Sequence, residues 1–447
     1  MEPILNKNNN NNVENDNNNN NNEKLFKKVL LNKVLFYNIM NHVYIYNNIY
    51  YFSKYYKSDI NNIENYKFRD YITHLYLKQK KKGKTNSFKE IGIIPPSVVK
   101  LTLNKFNQTL YQGDIPCSVT NLAFGEFNKE LIPNISLPPS IKILNIGNHF
   151  NQPLKNNDIP DSVHTLILGN GFNQQLIPES NLIPPSVTIL SFGSRFNLEI
   201  KEGAIPISVT HIVFGNNYNK PFKNSLPNKL LILQLSNEYN SAFTTESLPC
   251  SLRKLTFPKY SKFNKPILPG HLPHSLTELH LGERFNHNLS EYCLPDNLTN
   301  LSLSNHFNLP LEYQTFPKSL KYLSMGLLFD HPVQLKISSL INLVELKFGN
   351  QYNLPIHSDQ LPPSLRIIQF GDNFNQTVDH NLLSSIPLIR LIKFGKHFKK
   401  SNLILNNNCD LTIFHFYENI LKKKGGGGDQ KKWKNLPFFL FSSFSLN

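Results

Sequence analysis

Leu272-Pro273-His274-Ser275-Leu276-Thr277-Glu278-Leu279-His280-Leu281-Gly282-Glu283-Arg284-Phe285-Asn286 is the clearest copy of a unit that recurs through the middle of the chain. Each slot has a physical reading. The proline fixes its own φ and biases the leucine before it away from helix, so the pair reads as a corner with an extended lead-in. Leu276, Leu279 and Leu281 fall at i, i+3 and i+5, the spacing at which a short strand with a turned lead-in points all three into one interior. A glycine after the last apolar residue permits a turn at positive φ. The aromatic then re-enters the core. The asparagine beside it carries two donors and an acceptor, enough to satisfy backbone groups in its own turn and in the next coil, so stacked coils would form a ladder. The alternative is a plain turn former; in both readings its role is in folding.

Aligned on the Phe-Asn or Tyr-Asn pair, the aromatic positions are 106, 127, 150, 172, 196, 218, 239, 263, 285, 307, 329, 352, 374 and 398, with steps of 21 to 24 residues. That interval lies within the roughly 20–29 residues of leucine-rich repeats and below those of helical repeats. Residues 94–401 are therefore expected to form one solenoid of about fourteen units, each packing only on its neighbours. Parallel strands would line its concave face and mostly irregular coils its convex side. Glycine recurs in its slot as Gly125, Gly147, Gly169, Gly193, Gly215, Gly282, Gly349, Gly371 and Gly395.

The flanks differ in composition. Residues 8–22 are almost all Asn, and residues 1–22 are expected to be disordered for want of apolar surface to offset ordering entropy. Residues 23–60, with Leu25, Phe26, Val29, Leu30, Val34, Leu35, Ile39, Met40 and Val43 at three- and four-residue spacing, predict a short helical segment. Residues 61–93 read as a basic linker and 402–447 as a flexible tail. Of the formal net charge of +16, residues 91–401 hold +6, so the flanks carry most of the basic excess and the array is only mildly basic. The four cysteines have no paired spacing, which argues against a disulfide framework and a two-pair zinc site and fits a reducing, intracellular and cytoplasmic setting. No run approaches the ~20 apolar residues of a membrane helix.

The full pattern, Leu/Ile-Pro-x-Ser-Leu/Val-x-x-Leu-x-Phe/Leu-Gly followed by Phe-Asn-x-Pro-Ile/Leu, resembles the FNIP-repeat proteins. Phe150-Asn151-Gln152-Pro153-Leu154, Tyr218-Asn219-Lys220-Pro221-Phe222, Phe263-Asn264-Lys265-Pro266-Ile267, Phe307-Asn308-Leu309-Pro310-Leu311 and Tyr352-Asn353-Leu354-Pro355-Ile356 carry it most fully. The resemblance implies a leucine-rich-repeat-like fold with no general catalytic residues. Some members attach the repeats to a kinase or an F-box-like segment. No kinase signature is present, whereas Leu25 to Val43 is open to reading as an F-box-like helical pair or as a capping helix. Phe329-Asp330 replaces the Asn, Phe398-Lys399 loses it, and Leu335 to Ser339 lacks the proline corner.

Little in the sequence suggests chemistry. The fifteen histidines include no His-x-x-x-His pair beside a carboxylate; His149, His287, His306 and His397 sit at the aromatic turn. Gly425 to Gly428 lack the Lys-Ser/Thr of a phosphate loop. The tail Lys431-Lys432-Trp433-Lys434 with Phe438 to Phe441 allows membrane-surface contact or single-strand binding, both ranked below a plain tail. No catalytic, cofactor or metal site is assigned, and a nucleic-acid partner is not expected. The expectation is a non-enzymatic protein-binding scaffold, with a ubiquitin-ligase adaptor through residues 23–60 as the alternative. Specificity would lie at the outward strand positions, where Ile143, Ile167, Ile189, Val213 and Ile232 form an apolar stripe with His211 at its rim. The competing register buries these side chains in a tighter coil.

Overall fold

The computed structural model describes residues 56–58, 63, 69–77, 94–178, 180–290, 292–311, 315–332, 340–404 and 414–416. The i, i+3, i+5 triplet is buried, as Leu276, Leu279 and Leu281 show, with Ile389 of the last unit half-buried; the central member lies within the strand, joined by the third in the four-residue strands such as Lys100–Leu103. The strand is three or four residues long because a corner precedes it and a turn follows it. At the corner Pro273 C=O accepts Leu276 N–H at 3.0 Å, and the same turn recurs at Pro160–Val163 and Pro317–Leu320.

The strands in chain order are β1 (Tyr56–Ser58), β2 (His74–Leu77), β3 (Lys100–Leu103), β4 (Asn121–Phe124), β5 (Ile143–Asn145), β6 (Thr165–Ile167), β7 (Ile189–Ser191), β8 (His211–Val213), β9 (Ile232–Gln234) and β10 (Lys254–Thr256). They continue as β11 (Glu278–His280), β12 (Asn300–Ser302), β13 (Tyr322–Ser324), β14 (Glu345–Lys347), β15 (Ile367–Gln369), β16 (Val378–Asp379), β17 (Leu391–Phe394), β18 (Leu403–Ile404) and β19 (Phe414–Phe416). Except for β16 and β18, which pair with each other, all belong to one 17-stranded parallel sheet in which each strand pairs with the one before and after it. Among the described residues little helix is present: α1 (His380–Ser384) follows β16, capped by Asp379 Oδ1 accepting Leu382 N–H at 2.9 Å. One apolar core runs the whole length of the sheet.

Three ladders link successive coils. Asn240 N–H donates to Asn219 Oδ1 at 2.8 Å, Asn264 N–H to Asn240 Oδ1 at 2.9 Å and Asn286 N–H to Asn264 Oδ1 at 3.0 Å, and the series extends from Asn107 to Lys399. The expected asparagine ladder is therefore present. Asp330 keeps it going, because a carboxylate also accepts, though Asn353 N–H reaches it at a longer 3.4 Å. Lys399 donates its N–H to Asn375 Oδ1 but offers no side-chain acceptor onward. A serine ladder runs beside the corner: Ser275 Oγ donates to Leu252 C=O and Ser251 Oγ to Leu230 C=O, both at 2.7 Å. The third ladder is aromatic. Phe127, Phe150, Phe172, Phe196, Tyr218 and their successors stack nearly parallel, with centroids 5.9 to 6.5 Å apart.

Those centroid separations set the curvature. Equivalent rings of successive coils step by 5.9 to 6.5 Å, whereas parallel strands step by about 4.8 Å. Each coil is a wedge, narrow at the strands, so the strand face is the inside of the curve.

Two readings need correction. The slot glycines were expected to supply positive φ, but of the nine only Gly147, Gly169 and Gly282 have it. The shared constraint is close approach: a Cβ on Gly193 would lie 1.5 Å from Gly169 O, and one on Gly371 2.0 Å from Gly349 O. Ser236 and Ser304 take the slot in two coils, and there the hydroxyl bonds the carbonyl of Tyr218 or Phe285 in the preceding coil. The second correction concerns extent. Within the stretch read as a basic linker, β2 pairs with β3, Ile72, Leu75 and Leu77 repeat the core spacing, and Ser97 Oγ donates to Ile72 C=O. Within the stretch read as a tail, β18 pairs with β16 and β19 with β17. The proposed N-terminal helical segment lies outside the described residues, except that Tyr56–Ser58 is a strand. The Asn-rich tract, the glycine run and the basic-aromatic tail also lie outside them.

Candidate partner-binding face

Alternation puts the residues on either side of each central Leu or Ile outward. In β5 to β9 that central residue is buried while its neighbours are half-buried or exposed, which excludes the register that would bury the stripe. Ile143 is 39% exposed and Ile189 38%; Ile167, His211, Val213 and Ile232 are half-buried.

Register decides which of these adjoin. Ile143, Thr165, Ile189, His211 and Ile232 are paired successively across the strands, as are Asn145, Ile167, Ser191, Val213 and Gln234 in the second outward column. The apolar side chains thus alternate between columns in a zigzag, separated by Thr165, Ser191 and His211, and do not form a straight stripe. His211 Nδ1 lies 2.8 Å from Thr210 Oγ1, and register places the residue between Ile189 and Ile232, within the zigzag and not at its rim.

Over β10 to β12 the face turns polar. Lys254 Nζ contacts Glu278 Oε2 at 2.8 Å, and His280 Nε2 lies 4.0 Å from the same oxygen. Desolvation and the Lys254 charge push the His280 pKa below its ordinary value against the pull of Glu278, so the ring is neutral at neutral pH. On the convex side Asp114 and Asp158 are buried carboxyls whose desolvation raises their pKa although each accepts a backbone N–H, from Tyr111 and Lys155 respectively.

Two histidines beside the aromatic turn have structural partners: His287 Nε2 lies 3.1 Å from Asn264 O and His331 Nε2 3.1 Å from Asn308 O. Gln152 and Gln174 donate to the same carbonyl in other coils. Gly171 occupies a slot held by His149 and Arg195 in the adjoining coils, leaving an open depression of about 500 Å³ that the sequence reading missed. Among the described residues no group of three His, Cys, Asp or Glu could hold a metal ion. Cys117 and Cys250 are exposed free thiols and Cys293 is a buried one.

The coil pattern, the parallel sheet and the ladders define a leucine-rich-repeat-like solenoid. Seven FNIP Repeat matches cover residues 106–149, 150–195, 196–238, 239–284, 285–328, 339–373 and 352–396, and the chain belongs to that family. The gap between 328 and 339 falls where the proline corner is lost. Among solved structures, CroV588, described as a novel circular LRR protein, is 32% identical with a TM-score of 0.61. The match covers 70% of this chain and 49% of that one, so the chain spans about half the length of this relative. The TLR13–ssRNA13 complex (16% identity, TM-score 0.37, 78% of this chain and 67% of that one) also matches. So does an internalin from Listeria monocytogenes (15% identity, TM-score 0.33, 73% and 80%). No curated protein matches the chain.

Proposed function

We propose that the chain is a non-enzymatic, intracellular scaffold that recruits a protein through its strand face, centred on Ile143, Ile167, Ile189, Val213 and Ile232. The supporting observation is that five β-branched apolar side chains lie outward on five adjacent strands whose backbone is fixed by pairing on both sides. Apolar side chains spared from the core yet held on a rigid surface stabilise a complex more than they stabilise the fold. The exposed thiols Cys117 and Cys250 suit a reducing compartment. No helix of the described residues is long and apolar enough to cross a membrane.

The test is affinity capture from cell lysate with the full chain beside the double variant Ile167→Lys/Ile189→Lys. Circular dichroism of both is expected to agree, because neither side chain fills the core. A specific protein retained by the parent and lost by the folded variant supports the reading. Equal capture by both removes the zigzag as the contact.

A further inference from the structure

We propose that the strand face carries a second docking surface at β13 to β17, one that takes an acidic peptide segment bearing aliphatic or aromatic residues. This rests on the reading of the strand face as a docking surface but uses different residues from the Ile/Val zigzag.

Charge is unevenly placed on this face. The lead-in and outward positions of β13, β14, β15 and β17 carry Lys321, Lys347, Arg366, Arg390 and Lys393, all exposed, against one acid, Glu345. The same positions of β5 to β9 carry one lysine, Lys142. No ion pair among the described residues engages those five cations, and Glu345 Oε1 accepts from Gln369 Nε2 at 2.9 Å. Arg366 and Arg390 are immediate neighbours: Arg390 N–H and Leu391 N–H both donate to Arg366 C=O, at 2.8 and 3.1 Å. Like charges at adjoining positions of paired strands oppose folding. The fold therefore gains nothing from this arrangement, whereas a ligand carrying carboxylates would relieve the repulsion.

The cations flank an apolar centre. Ile367 pairs with Leu391 in the middle column, and Tyr322, 44% exposed, lies two strands away. Arg366 and Arg390 stand at the lead-in side of that column and Lys347 and Lys393 at the exit side. A segment lying across the strands can place apolar side chains on Ile367 and Leu391 with carboxylates to either side. The pattern fits a single-stranded nucleic acid less well. Bases need a run of aromatic faces on which to stack, yet the centre is aliphatic, and Glu345 sits between Tyr322 and Ile367 where phosphates would pass.

The experiment selects short random peptides from a display library on the immobilised full chain and measures the consensus peptide by fluorescence anisotropy at low and physiological salt. Three folded proteins are compared: the parent, the charge reversal Lys347→Glu/Arg366→Glu/Arg390→Glu/Lys393→Glu, and Ile167→Lys/Ile189→Lys. The expected peptides are rich in Asp and Glu around Leu, Ile or Phe. Their affinity should fall by more than about tenfold on charge reversal and weaken with salt, while the Ile variant leaves it unchanged. If the full reversal fails to fold, the pair Lys347→Gln/Lys393→Gln serves, with a smaller loss in the same direction. Selected peptides without acidic bias, acidic peptides that bind the reversed protein equally well, or a thymidine oligonucleotide that outcompetes the peptide would each overturn the proposal. Loss of peptide binding in the Ile variant alone would place docking on the zigzag instead.

Discussion

Gly193 shows how tightly one coil rests on the next. Its φ is not in the left-handed region, yet a Cβ there would lie 1.5 Å from the Gly169 carbonyl oxygen. Gly203 is the opposite case, with φ of +76° and its nearest neighbour, the Pro178 Cβ, 3.9 Å from an added methyl. Gly193→Ala should therefore cost about 3 kcal/mol or more, because neighbouring backbone has nowhere to move, and Gly203→Ala about 1 kcal/mol, from backbone strain alone. Denaturant midpoints of the two variants measure the difference; equal losses would mean that conformational freedom, not contact, explains the slot.

At the scale of the element, the asparagine ladder ties turns that have no helix or sheet to hold them. Asn219 accepts Asn240 N–H and itself donates its N–H to Asn197 Oδ1 at 2.9 Å. Removing the acceptor in Asn219→Ala should cost about 1 kcal/mol, since the rung is exposed and water partly replaces it. Asn219→Asp should stay close to the parent, as the natural Asp330 rung implies. Thermal unfolding of both decides this, and an Asp variant as damaged as the Ala one would assign the lost stability to the amide nitrogen. The departures at 330 and 399 were legible in the sequence as irregularities. Their consequences differ because a carboxylate accepts a hydrogen bond and an ammonium does not.

Across the whole molecule, the described strands pair only with those of the neighbouring coils, so damage should stay local. Leu279→Ala empties a fully buried position of β11, a loss of about 2 to 5 kcal/mol in a packed core. Hydrogen exchange should show protection reduced in β10 to β12 and retained in β4 to β6. Uniform loss along the sheet would instead indicate one cooperative unit. Curvature is also a property of this scale: bulky aromatics hold the coils apart on one side while strand pairing draws them together on the other.

The order of the units, the buried triplets, the asparagine rungs and the outward identity of Ile143, Ile167, Ile189, Val213 and Ile232 could be read from the sequence. Each follows from local spacing that every copy repeats. Alignment on the Phe-Asn pair concealed the coils of β2 and β19, which keep the apolar triplet without that pair; Ile72, Leu75 and Leu77 were the signal for the first. Tertiary structure alone decided three things. The glycine requirement belongs to the neighbouring coil, which no single residue's pattern records. The zigzag of the stripe depends on register, held constant across steps of 21 to 24 residues because the convex coil absorbs the extra length. The juxtaposition of Arg366 with Arg390 arises from pairing between segments far apart in the chain, a contact that sequence spacing does not contain.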